Sequence, residues 1–96
     1  MKKHPITIDN FNGSFQELAD SIADLRYDAL EDFLGKLHKS LMVYSIKDKE
    51  SGKIKLSIEG EKLADYLKFA SESAKKCLDI SKPYMKEDIE KRKYKS

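Results

Sequence analysis

The sequence has no tryptophan, one cysteine, two prolines and four glycines among 96 residues. Each shortage removes a class of protein. With Cys77 alone, no disulfide can close within the chain, and the common cysteine-based zinc sites are excluded. The glycines form none of the spacings that cradle a phosphate or present a nucleophilic serine. His4 and His38 are the only histidines and stand too far apart for a helical His-x-x-x-His zinc pair. The run of about 18–20 uninterrupted apolar residues that a membrane span needs is missing. Met1-Lys2-Lys3-His4-Pro5 leads into mixed residues rather than an apolar signal-peptide core, so a cytoplasmic protein is expected. No catalytic, metal or cofactor site is expected, and therefore no enzyme.

What is present is charge and helical periodicity. Charged residues make up 38% of the chain and apolar ones 40%, against about a quarter charged in an average globular protein. Nineteen basic and 17 acidic residues leave a net charge of +2, too balanced to argue for nucleic acid as a partner. A chain this short buries only about 60–65% of its unfolded surface and gains much from oligomerisation.

Residues 1–13 read as an extended N-terminal segment, residues 14–90 as a single helical domain and residues 91–96 as a basic flexible tail. Ser14-Phe15-Gln16-Glu17 fits the capping box, in which two side chains satisfy orphaned N–H groups at a helix start. From there Phe15, Leu18, Ile22, Leu25, Ala29, Phe33, Leu37 and Leu41 step by three and four. No proline interrupts them; Gly35 marks either a kink or a close approach by another backbone. A second periodic run holds Leu63, Leu67, Ala70, Ala74, Cys77 and Leu78, with Tyr66, Phe69, Ile80 and Tyr84 beside them. Pro83 ends or kinks this helix.

The fold class is mainly α. The expected architecture is a long antiparallel helical hairpin (14–43 and 58–81), a connector at 44–57 and a short C-terminal helix. Period-two alternation of Met42, Tyr44, Ile46 and of Ile54, Leu56, Ile58 around Gly52 fits a β-hairpin. A polar loop, with the second helix already begun by Ile54, fits the same residues.

Both periodic runs carry apolar residues over about half a turn, beyond the arc of roughly 100° usual for a surface helix. Two helices packed once cannot cover this, so a homodimer forming a four-helix bundle, or another protein partner, is expected. The contact residues expected are Tyr66, Phe69, Ile80 and Tyr84, because tyrosine joins an apolar ring to a wet hydroxyl. Asp20, Asp24, Asp28 and Asp32 recur every four residues, level with Lys82, Lys75 and Lys68 in an antiparallel pair. They read as a solvated face with weak cross-helix ion pairs. His38 reads as a residue near a helix C-terminus and Cys77 as a buried structural thiol.

A different function class comes from a resemblance. Ile46–Leu67, with Ser57-Ile58-Glu59-Gly60-Glu61-Lys62-Leu63, resembles the wing and following helix of MarR-type repressors, about a quarter of the chain. That implies a winged-helix DNA-binding regulator. The residues between Ser14 and Leu34, however, carry no breaker where a helix-turn-helix turns, and the aspartates stand where phosphate contacts belong.

Overall fold

The computed structural model describes residues 4–94, with side chains for residues 4–84. It is mainly helical: α1 spans Phe15–Ala23, α2 Tyr27–Glu50 and α3 Ile54–Tyr94, with no strand among the described residues. The capping box that starts α1 is formed on both sides. The Glu17 N–H donates to Ser14 Oγ at 3.1 Å, and the Ser14 N–H to Glu17 Oε1 at 3.4 Å.

Three expectations are corrected here. The single helix expected over 14–43 is broken at 24–26. Asp24 caps α1, the Leu25 N–H reaches the Ile22 carbonyl, and Arg26 is extended at φ −59°, ψ 148°. The break contains neither proline nor glycine. Just past it the exposed Arg26 guanidinium donates two hydrogen bonds of 2.7 Å to Asp28. Asp28 sits in the first turn of α2, where the helix dipole favours a carboxylate.

The β-hairpin at 44–57 is not formed. α2 continues to Glu50 and α3 begins at Ile54. Gly52, at φ +82°, takes the left-handed position just past the helix. The Gly52 N–H bonds to the Lys49 carbonyl and the Lys53 N–H to the Asp48 carbonyl, which is the complete Schellman pattern. The turn chemistry of Ser51-Gly52 serves helix termination as well as it serves a hairpin.

Nor is there a separate C-terminal helix. α3 runs through Pro83 to Tyr94, carrying the backbone into the basic tail. Proline in a helix forfeits one bond, to the carbonyl four residues back, and the neighbouring ladder bridges the gap.

α2 and α3 lie side by side in opposite directions: Ser45 meets Ser57, His38 meets Ala64 and Glu31 meets Ser71. Lys82 pairs with Asp79 and Asp32 with Lys36, each along its own helix rather than across the pair.

Candidate functional site: two faces of the long helix

The side of α3 toward α2 is built from small residues. Ser57, Gly60, Ala64, Leu67, Ser71, Ala74, Leu78 and Ser81 alternate steps of three and four, and each is buried or half-buried. α2 answers with Glu31, Leu34, His38, Leu41, Ser45 and Asp48 at the same alternation. This is the heptad spacing of a coiled coil, but with serine, glycine and alanine where leucine and isoleucine usually stand. The four most buried side chains are Ala64, Ser45, Ala74 and Ser57.

Small residues let two backbones approach, and the polar ones find partners across the gap. Ser45 Oγ donates to the Ser57 carbonyl at 2.8 Å, and Ser57 Oγ returns a bond to the Ser45 carbonyl at 2.9 Å. Ser71 Oγ donates to the Glu31 carbonyl at 3.1 Å. His38 Nδ1 lies 2.7 Å from the Ala64 carbonyl, which can only accept, so Nδ1 carries the proton. His38 therefore holds the middle of the seam instead of capping a helix end. Gly35 faces Ser71: a Cβ added there would stand 3.6 Å from Ser71 Oγ. No buried side-chain nitrogen or oxygen among the described residues lacks a partner, as a dry seam requires.

Apart from Leu34, Leu41, Leu67 and Leu78 in the seam, many of the large apolar side chains lie elsewhere. Tyr66 is 68% exposed, Phe69 59%, Ile80 75% and Tyr84 71%, and Leu56 and Leu63 are more than half exposed. At 100° per residue they range from roughly 70° (Leu56, Leu63, Tyr84) through about 130° (Tyr66, Ile80) to about 180° (Phe69) around α3 from the seam. The four expected contact residues thus share one uncovered flank. Leu63, expected in the core with Leu67, belongs to it too. Cys77 is half-buried at its edge. No large side chain among the described residues is fully buried.

Hydrophobic spacing found Leu67, Ala74 and Leu78 of the seam but not its serines and Gly60, because serine and glycine do not register as core residues. The available signal was Ser57, Gly60, Ala64, Ser71 and Ala74 falling on one heptad row.

The N-terminal arm lies along α2. His4 stacks edge-on against Tyr44 with ring centroids 5.4 Å apart. α1 is amphipathic, yet none of its residues is buried. The aspartate ladder is divided between α1, its cap and α2. The Asp28 carboxyl is held below the usual carboxylate range, chiefly by its hydrogen bond from Arg26. No cluster of metal-ligating side chains occurs among the described residues, and none of their helices is long and apolar enough to cross a membrane.

Comparison with protein-family models, with curated proteins and with solved structures finds no match.

Proposed function

We propose that the protein is a small helical interaction module that works by self-association through the outward flank of α3. Two copies bring Leu63, Tyr66, Ile80 and Tyr84 against the same residues of the other, making a four-helix bundle of two α2–α3 pairs. The observation that carries this is surface area. The chain exposes 8353 Å², whereas a compact monomer of 11.1 kDa exposes about 5,700 Å². The radius of gyration is 17.2 Å, against about 12.5 Å for a compact chain of this length. The excess of roughly 2,700 Å² per copy exceeds the ~800 Å² per partner of an ordinary interface and suits a homodimer with an apolar contact.

A second copy is favoured over an unrelated partner because the outward flank repeats in steps of three and four: Leu63, Tyr66, Ala70, Ser73, Cys77, Ile80 and Tyr84. A heptad stripe is complementary to another of its kind.

Sedimentation equilibrium from micromolar to millimolar concentration tests this. The expected result is a mass near twice the monomer, falling at least tenfold in affinity in the Tyr66→Ser, Ile80→Ser variant, with helix content by circular dichroism unchanged. A strict monomer across that range overturns the reading.

A further inference from the structure

The outward flank of α3 is graded in size from its middle toward both ends. At the middle stand Ala70 and Ser73, its two smallest side chains. Tyr66 and Leu63 follow on one side, Cys77 and Ile80 on the other. One step further out, the same row reaches Glu59 at one end and Tyr84 at the other. The backbones of two crossing helices are closest at the crossing point and diverge on either side of it. Small residues at the centre with larger ones outward therefore suit a crossing between Ala70 and Ser73.

The direction follows from which residues such a crossing opposes. In a parallel pair each residue of the row faces its own counterpart. Tyr66 would crowd the partner's Tyr66, Ala70 and Ser73 would leave space, and Glu59 would meet the partner's Glu59, a like-charge contact that costs affinity. In an antiparallel pair the steps of three meet the steps of four. Ala70 then faces the partner's Ser73, the large Tyr66 ring faces the small Cys77 side chain, and Leu63 faces Ile80. Glu59, exposed beside Lys62 at 3.2 Å, faces the Tyr84 hydroxyl, which can donate a hydrogen bond to a carboxylate.

The length of α3 favours the same direction. Ser45 meets Ser57, His38 meets Ala64 and Glu31 meets Ser71, so Tyr27 at the start of α2 stands level with Lys75. The stretch of α3 past that point, residues 76–94, is about 28 Å long and extends beyond α2. Ile80 and Tyr84 lie on it, the two most exposed residues of the flank. Antiparallel pairing lays this projection along the partner's hairpin. Parallel pairing would leave both projections at one end with only each other to cover.

We infer that two copies pair α3 against α3 in opposite directions, crossing between Ala70 and Ser73. This rests on the self-association reading and adds to it how the second copy is oriented and which residues it opposes.

One distance reads direction and register together. Lys55 is exposed and lies about 90° around α3 from the midline of the flank, so a label there leaves the pairing surface intact. The full chain carrying Lys55→Cys and Cys77→Ser, spin-labelled at position 55, is expected to sediment as a dimer. Pulsed electron paramagnetic resonance should then give about 50 Å between the labels, from roughly 33 residues of axial offset at 1.5 Å each. A distance within about 20 Å means a parallel pair; it overturns the inference and leaves self-association standing. A slip of one heptad moves the distance by about 10 Å, so a value near 40 or 60 Å overturns the crossing point.

Oxidation gives a second reading. Tyr66→Cys places a thiol opposite the partner's Cys77, and disulfides should link most of that variant into dimers. The native chain should stay unlinked, because its two Cys77 thiols stand about 16 Å apart along the axis, beyond the reach of a disulfide. A linked native chain, or a Tyr66→Cys variant that stays unlinked where it sediments as a dimer, overturns the antiparallel pair. A native chain that remains monomeric overturns both readings.

Discussion

The two sides of α3 teach opposite lessons about how a helix finds a neighbour. Toward α2, serine, glycine and alanine bring the backbones close, and reciprocal Ser45–Ser57 hydrogen bonds satisfy the groups that closeness buries. On the opposite side, tyrosine, phenylalanine and isoleucine stand in water. Large apolar side chains release the most free energy on burial, about 25 cal/mol per Å², and inside the chain the seam leucines Leu34, Leu41, Leu67 and Leu78 are only half-buried. The contact within the protomer depends on shape and hydrogen bonds; the contact that remains available depends on hydrophobic area. The proposed self-association would add to the stability of the seam, so the melting temperature is expected to rise with concentration.

Substitutions can separate the two sides. The largest effect is expected at Ala64, fully buried at the centre of the seam. Leucine there has no space, and overpacking should cost about 1–3 kcal/mol in urea unfolding. The same leucine at Ala70, on the half-buried border of the outward flank, should change stability far less. Next comes Ser57→Ala, which removes the donor to the Ser45 carbonyl and should cost about 1 kcal/mol. Gly60→Ala should go the other way. An added Cβ meets Ser45 Cβ at 3.7 Å, an ordinary contact, so the gain in helix propensity, up to about 1 kcal/mol, is kept. A loss of stability in Gly60→Ala would mean that the backbones approach more closely than this contact implies.

The smallest effect is expected from acid. Asp28 has its folded-state pKa lowered by Arg26. The contribution of this pair is therefore present above the ordinary carboxylate range and lost as pH falls through the lowered folded value. The pair is exposed at the surface, so acid should loosen the α1–α2 joint with little change in the α2–α3 seam. Amide exchange of residues 24–28, compared with residues 45–57 across that range, checks the difference.

The helical class, the start of α1 at Ser14 and the exposed aromatic row were legible because each depends on local spacing or on a cap chemistry confined to four residues. The break at Asp24–Arg26 was not. Apolar periodicity runs straight across it, and it contains no breaker residue. The turn at Ser51–Lys53 was legible as a turn but not as to what it joins, since a Gly-centred reversal ends a helix or a strand equally well. The seam was hidden for a related reason: a hydrophobic pattern scores serine as surface, and only a facing serine makes it core.

Taken alone, then, the amino-acid order determined that this chain is helical, nearly neutral, without chemistry-bearing clusters, and carries more apolar helix surface than one contact can cover. Those properties follow from composition and from neighbours three and four residues apart. That serines, Gly60 and alanines make up most of the face that α3 turns to α2 was decided by tertiary structure alone. The choice turns on how closely two backbones can approach and whether the serines between them find partners across the gap, and neither quantity exists until both helices are in place.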